Sequence, residues 1–306
     1  MRTKKLHVAL LAVPVLVTGL VSGCSQGAAG SAATPRTASA VSSAPAGVAT
    51  ALARLEERHD RRLGLYMLDT GTGRAVAYHA GERFGFCSTS KALLAGVLLK
   101  RFGDARLDKV IRYGKDDLQD YSPITEKHVG TGMTLRALIK AALQYSDNTA
   151  ANLMFEQVGG PPRVQRALRG LGDRVTNVNR VEPDLNDTPP GTTRDTSTAR
   201  TMATDLRRFL LGGALSPGRR ALLRTWMRGN TTGDDLIRAG VPAGWTVADK
   251  TGSGLTYGTQ NDIAVAWRAN GAPVVIALLS RAHDKDAESD QALLAEATRA
   301  ALPGLR

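Results

Sequence analysis

The spacing of apolar residues divides the chain into stretches of different period. Val48, Leu52 and Leu55 recur at helical spacing, so ordered structure is expected from about residue 47. The segments Leu63 to Leu68 and Arg74 to His79 flank the turn-rich Asp69-Thr70-Gly71-Thr72-Gly73, which predicts a β-hairpin. From Ser88 to Phe102 the apolar positions Ala92, Leu93, Leu94, Val97, Leu98 and Leu99 surround a helix on most sides, the pattern of a buried helix. A second helix runs from Thr134, with Leu135, Leu138, Ile139, Ala142 and Leu143 on one face. A third passes through Ala150, Leu153, Met154 and Val158 and is stopped by Gly159-Gly160-Pro161-Pro162. Residues 181 to 194 carry no period and contain Pro183, Pro189, Pro190 and Gly191; so long a loop inside a compact domain is usually functional. Strand signals return as the short apolar runs Trp245 to Asp249, Ile263 to Trp267 and Val274 to Leu279, and Ala287 to Leu302 closes the chain as a helix.

This order predicts an α/β (α+β) fold, in which both ends of the chain build one antiparallel sheet flanked by helices. The sheet lobe is expected over about 47–85 and 226–306, and an inserted all-helical lobe over about 86–225. Ligands favour the cleft between two such lobes.

The first 23 residues read differently. Arg2, Lys4 and Lys5 make a basic start, and Val8 to Leu20 is apolar except for Pro14, Thr18 and Gly19. That run is short for a membrane-spanning helix, which needs about 20 apolar residues, and fits a secretory signal. The closing Val21-Ser22-Gly23-Cys24 resembles the lipobox of bacterial lipoproteins, whose cysteine becomes the lipidated first residue of the mature chain; ordinary signal cleavage beside an unrelated cysteine is the alternative. Residues 24–46 are almost entirely Ser, Ala, Gly, Thr and Pro, the composition of a flexible tether. The expectation is an exported protein, lipid-anchored through Cys24 to the outer face of the cytoplasmic membrane and partly released from it.

Composition narrows the function classes. With 42% hydrophobic residues the chain has ample material for a core, and disorder throughout is excluded. The formal charge is +12; without Arg2, Lys4 and Lys5 there remain 37 basic and 28 acidic side chains. The basic residues are scattered and no nucleic-acid motif accompanies them, so a solvated basic surface is expected and no nucleic acid partner. Cys24 and Cys87 are the only cysteines, which leaves no disulfide framework. The histidines (His7, His59, His79, His128, His283) lack zinc-ligand spacing, and no metal or cofactor is called for.

Four short motifs carry candidate chemistry. Ser88-Thr89-Ser90-Lys91 stands at the start of the buried helix, where a three-residue offset puts Ser88 and Lys91 on one face and the amine within reach of the hydroxyl proton. Ser146-Asp147-Asn148 interrupts two helices; Ser146 can relay a proton to a leaving nitrogen and the Asn148 amide can bind a substrate carbonyl, although these residue types also make ordinary helix caps. Lys250-Thr251-Gly252, with Ser253 next, follows the expected strand Trp245 to Asp249 and offers charge, hydroxyls and close backbone approach to a carboxylate. Glu182-Pro183-Asp184-Leu185-Asn186 lies in the long loop, where carboxylate and amide can hold one water between them and Glu182 can activate it.

Singly each motif is weak; together and in this order they match the signature of class A β-lactamases and penicillin-binding proteins. The resemblance spans residues 48 to 302 and extends to Tyr121-Ser122-Pro123-Ile124-Thr125-Glu126-Lys127-His128 and to Ser146 through Leu153. The stretch Arg180-Val181-Glu182-Pro183-Asp184-Leu185-Asn186, with Asp195 later, resembles the Ω-loop specific to class A β-lactamases. Penicillin-binding D,D-peptidases share the other motifs but lack a base that delivers water to the acyl ester.

The resemblance implies a monomeric serine β-lactamase that confers antibiotic resistance by opening penicillins and cephalosporins. Ser88, Lys91, Ser146 and Glu182 would be catalytic, with Tyr121, Asn148, Asn186, Lys250, Thr251, Gly252 and Ser253 binding substrate. The N–H groups of Ser88 and Ser253 would form the oxyanion hole, Arg180 would pair with Asp195, and the bond before Pro183 would be cis. A penicillin-binding D,D-peptidase and a non-catalytic envelope binding protein are the alternatives. Two departures stand out. At the positions of an arginine that helps many class A enzymes hold the substrate carboxylate stand Leu236, Thr259 and Asp290, so Lys250, Thr251 and Ser253 would act alone or Arg238 or Arg281 would reach in. Cys87 has no partner cysteine and is expected to be a small buried residue, with no carbapenem hydrolysis inferred from it.

Overall fold

The computed structural model describes residues 43–306; the expected signal segment, Cys24 and most of the tether lie outside the described residues. Five strands form the central sheet: β1 (Arg61–Asp69), β2 (Ala75–Tyr78), β3 (Thr246–Ser253), β4 (Gln260–Trp267) and β5 (Val274–Ala282), in the spatial order β2-β1-β5-β4-β3. All neighbours are antiparallel. Leu65 of β1 stands between Tyr78 of the hairpin partner and Leu278 of β5, so the two ends of the chain share one sheet.

Both faces of this sheet are buried. Along β5 the period of two sends Val274, Ile276 and Leu278 into one core and Val275, Ala277 and Leu279 into the other, which is why the sequence there is an unbroken apolar run. The first core is closed by α1 (Ala46–His59), through Leu52 and Leu55, and by the C-terminal helix Gln291–Ala301, through Leu293 and Leu294. The second merges with the helical lobe. Its axis is α2 (Ser90–Arg101), in which every residue from Ser90 to Leu99 is buried. Around it lie α3 (Leu135–Gln144), α4 (Asn148–Val158), α5 (Pro161–Gly170), α6 (Ala199–Leu210) and α7 (Pro217–Arg228); the C-terminal helix is α8. Side-chain caps fix where five of these helices begin: Thr134 accepts from Ala137 N at 3.1 Å, Asp147 from Ala150 N at 2.8 Å, Thr198 from Thr201 N at 3.2 Å, Ser216 from Arg219 N at 3.5 Å and Asp290 from Leu293 N at 3.2 Å. Each such cap contributes about 1 kcal/mol.

The observed elements refine the expected ones. The buried helix starts at Ser90, preceded by a 3₁₀ turn over Cys87–Thr89, so Ser88 sits in that turn and caps nothing. Lys250-Thr251-Gly252 is part of β3 and does not follow it, placing these groups along a strand at the sheet edge. Helix α6, counted in the inserted lobe, packs on β1, β4 and β5 and joins the two lobes. The closing helix begins at Gln291, four residues later than its apolar pattern suggests, because Asp290 caps it there.

Between α5 and α6 two carboxylates, Asp173 and Asp205, are buried together. Asp173 Oδ1 accepts from Val175 N at 2.7 Å and Thr176 N at 2.9 Å and keeps its charge, while Asp205, bonded to Arg208 at 2.7 Å, is pushed up to about 7 by burial and by the Asp173 charge. The folded state therefore holds a proton on Asp205 that the unfolded chain, with its ordinary carboxylate, releases near pH 4. Stability falls as pH rises between those values and then levels off, a loss on the order of 4 kcal/mol. Asp205→Asn keeps the neutral form permanently: it is expected to raise Tm clearly at pH 8 and by less than half as much at pH 5. Equal shifts at both pH values in melting curves would contradict this.

Candidate active site

The site forms where the 3₁₀ turn before α2 meets the edge strand β3. Gly252 makes the approach possible: a Cβ there would stand 3.0 Å from Phe86 O and Thr89 N and 3.1 Å from Ser88 N. Asn261, buried in β4, ties the same region to the sheet by donating to Gly85 O at 2.8 Å and accepting from Ser280 N at 3.1 Å. Cys87, Tyr121 and Ser146 all hold positive φ, 48°, 58° and 56°, a conformation that costs roughly 1–2 kcal/mol for a residue with a Cβ. Such local strain clusters where geometry is over-determined by function.

Ser88 Oγ, in a residue only 8% exposed, accepts from Lys91 Nζ at 2.8 Å and donates to Glu182 Oε1 at 3.2 Å. The Lys91 ammonium also meets Glu182 Oε1 at 2.9 Å, Ser146 O at 2.7 Å and Asn148 Oδ1 at 2.7 Å. Burial pulls Lys91 below its ordinary value, against the opposing charge of Glu182. Such a lysine gives up its proton more readily than an exposed one. Ser146 Oγ stands between two amines, 3.4 Å from Lys91 Nζ and 3.0 Å from Lys250 Nζ. Lys250 also donates to Thr251 O at 2.8 Å; burial first, and the Lys91 charge second, push it down to about 7.

The long loop is anchored at both ends. Arg180 Nε pairs with Asp195 Oδ2 at 2.6 Å, and Asp195 Oδ1 accepts from Asn179 N at 2.8 Å and Arg180 N at 3.0 Å. The Glu182–Pro183 bond is cis. Asn152 of α4 grips the backbone of Glu182 from both sides, donating to its carbonyl at 2.8 Å and accepting from its N–H at 2.9 Å. Asn186 Nδ2 donates to Glu182 Oε2, which leaves Asn186 Oδ1 buried without a protein partner, a free acceptor beside the carboxylate.

A cleft of about 390 Å³ opens over Ser88, within the range that takes a drug-sized ligand. Tyr121, Ser146, Asn148, Asn186, Thr251, Gly252 and Ser253 all line it, and so do Thr232, Gln260 and Gln291, which no sequence motif singles out. Lys91, Glu182 and Lys250 lie just beneath, fully buried in their side chains or nearly so. Neither arginine proposed to reach in does so: Arg238 is held by Asp249 at 2.6 Å and Asp234 at 2.9 Å, and Arg281 by Glu82 at 3.2 Å. Thr259 turns its hydroxyl to Thr256 O at 3.1 Å, and the neighbouring Gln260 faces the cleft in its place. Cys87 is free and fully buried, its thiol pushed up by burial and so unreactive. Among the described residues no group of His, Cys, Asp or Glu side chains is placed to hold a metal ion.

A buried serine–lysine pair with a loop carboxylate in direct contact is suited to making and then breaking an ester. Comparison with known families agrees: a family model described as the β-lactamase enzyme family matches residues 47–303. The chain belongs to the β-lactamase enzyme family. Its relatives include the β-lactamase of Bacillus licheniformis, 55% identical over 253 residues, which cover 83% of this chain and 82% of the relative. The β-lactamase of Mycobacterium tuberculosis is 48% identical over 94% of each chain. Among solved structures, a class A β-lactamase from Clostridium kluyveri superposes with a TM-score of 0.82 at 44% identity, over 83% of this chain and 97% of that one. The class A β-lactamase fold is thus shared from the first helix of the described chain to the last.

Proposed function

We infer that the protein is a serine β-lactamase in which Ser88 is acylated by penicillins and cephalosporins and Glu182 directs the water that frees it. The observation that carries this reading is the contact of the loop carboxylate with both the serine hydroxyl, at 3.2 Å, and the lysine amine, at 2.9 Å.

In the acylation half, Ser88 Oγ attacks the lactam carbonyl carbon and its proton passes to Glu182, or to Lys91 once that amine has given its own proton to Glu182, both of which touch Ser88. The backbone N–H groups of Ser88 and Ser253 stabilise the oxyanion. Ser146, between the two lysines, hands its proton to the departing lactam nitrogen as the C–N bond breaks and regains one through Lys91, so the proton taken from Ser88 ends on the product amine and Glu182 is a free carboxylate again. Lys250, Thr251 and Ser253 hold the substrate carboxylate, with Gly252 letting the ligand lie close to β3, while Asn148 and Tyr121 flank its side chain. In the second half a water held by Glu182 and the free Oδ1 of Asn186 loses a proton to Glu182 and attacks the ester, and Ser88 leaves with that proton restored. All these groups come from one chain, which supports action as a monomer.

Purified mature protein is expected to hydrolyse benzylpenicillin and a chromogenic cephalosporin with many turnovers. Acylation of Ser88 without turnover would replace the reading by a D,D-peptidase, and absence of any penicillin labelling by a non-catalytic binding protein. We further propose export and lipid anchoring through Cys24, supported by the Val21-Ser22-Gly23-Cys24 sequence and the small-residue tether after it. Cys24→Ala should move the protein from the membrane to the soluble fraction; unchanged membrane retention in cell fractionation would refute the anchor.

A further inference from the structure

Beneath the anion-holding end of the cleft runs a chain of polar contacts that the reaction steps above leave unused. Arg238 clasps Asp249, with Nε 2.8 Å and Nη2 2.6 Å from Oδ1. Asp249 Oδ2 accepts from Asn230 Nδ2 at 2.6 Å. Asn230 Oδ1 accepts from the Thr232 backbone N–H at 3.2 Å and from its hydroxyl at 2.9 Å. Thr232 Oγ1 in turn stands 2.5 Å from Thr251 Oγ1, and both threonines line the cleft. Asp249 and Asn230 are almost completely buried, and Gly233 lets the turn close over them, since a Cβ there would lie 2.1 Å from Asp249 Oδ2.

The direction of this chain is fixed at Thr232. The Thr232 backbone N–H can only donate, so the Asn230 carbonyl must face it and the NH₂ of Asn230 must face Asp249, whose other oxygen is held by Arg238. Thr232 has a single hydroxyl proton. When that proton goes to Asn230, Thr251 must donate to Thr232, and its own proton points away from the cleft. When Thr232 turns its proton to Thr251, Asn230 Oδ1 still receives the Thr232 N–H, and the Thr251 proton is released towards a ligand. Neither arrangement orphans a buried polar group, so the exchange costs little.

We propose that Thr232 is a positioning residue for substrate carboxylate recognition, a hydroxyl that switches from acceptor to donor and thereby turns Thr251 into a donor towards the anion. In this chain the end of the cleft is furnished by Thr232, Gln260 and Gln291, and the arginine beneath it, Arg238, acts on the ligand only through Asp249, Asn230 and Thr232. Gln260 Oε1 is occupied by Ser253 Oγ at 3.2 Å, so Ser253 cannot donate to an anion without giving up that contact, and Thr251 gains in importance.

The proposal rests on the β-lactamase reading, and its test separates the two. Thr232→Val removes the hydroxyl at nearly constant shape, and Thr232→Ser keeps it. With benzylpenicillin, Thr232→Val should raise KM about tenfold, the worth of a hydrogen bond to a charged group, and change kcat little; Thr232→Ser should restore KM to near wild type. With the methyl ester of benzylpenicillin, which offers no anion, wild type and Thr232→Val should acylate Ser88 at the same rate, followed by mass spectrometry. An unchanged KM for benzylpenicillin, equal losses on acid and ester, or failure of Thr232→Ser to rescue would overturn the role. Acylation rates read the switch even if no turnover occurs, an outcome that removes only the hydrolase reading; an unlabelled wild-type Ser88 removes both. Melting curves of both variants identify any loss caused by unfolding, in which case the Thr232→Ser comparison on acid and ester decides.

Discussion

Glu182→Ala is expected to leave a protein that takes up penicillin and does not let it go. The carboxylate meets Ser88 Oγ, Lys91 Nζ and Asn186 Nδ2, and no other acid among the described residues contacts the Ser88 hydroxyl. Its removal deletes the group that takes the proton from the attacking water, an effect of about 10²–10⁴-fold on the step it serves. Lys91 keeps its contacts with Ser88 Oγ, Ser146 O and Asn148 Oδ1, so the acylating half retains a base. Intact-protein mass spectrometry after mixing with benzylpenicillin should show the Ser88 adduct as the dominant species for long after the substrate is exhausted. Free enzyme returning at the wild-type rate would mean that another group activates the water. A parallel fall in the acylation rate would assign Glu182 a share in the first half as well.

Lys91→Met is expected to strike the other half. It removes the amine that touches both the nucleophile and Ser146, and with it one route for the Ser88 proton and one of the two charges that orient the proton donor to the leaving nitrogen. Acylation by a chromogenic cephalosporin, followed by stopped flow, should slow by about 10²–10⁴-fold. The variant should also melt earlier than wild type, because Glu182 loses its cationic partner and remains buried. Wild-type acylation rates in a properly folded Lys91→Met protein would show that Glu182 alone suffices as the base.

The parts of the molecule that announce themselves in the sequence are those where one physical demand dominates. Helix α2 is buried from Ser90 to Leu99 and is apolar on most sides. The run Val274 to Leu279 is unbroken because alternate residues enter different cores. Ser88, Lys91, Ser146 and Glu182 were legible as short motifs because their spacing survives in helix, turn and loop alike. Register was not legible. In β4 the residue facing the cleft is Gln260 and not Thr259, a one-residue difference that exchanges the two faces of a strand, and a strand buried on both faces carries no polar alternation to set it. Reach was not legible either: Arg238 and Arg281 are long enough to enter the cleft, but buried or half-buried carboxylates hold them elsewhere. Asn152 could have been found, since it stands four residues after Asn148 and so on the same face of α4. Thr232 gave no signal, because its importance comes from Asn230 and Asp249, which the fold alone brings to it.

The pairing of β1 with β5 sets a timetable for the newborn chain. One edge of β1 finds β2 within a few residues, but the other must wait for Val274–Ala282, roughly 200 residues later. At about 5–20 residues per second that is on the order of 10–40 s during which an apolar strand edge stands open. The cleft depends on the same closure, since β3, which meets the turn carrying Ser88, is joined to β1 only through β4 and β5. A chain cut short before its final forty or so residues lacks the strand that joins β1 to β4, and is therefore expected to be an unfolded polypeptide and not an enzyme of lower activity.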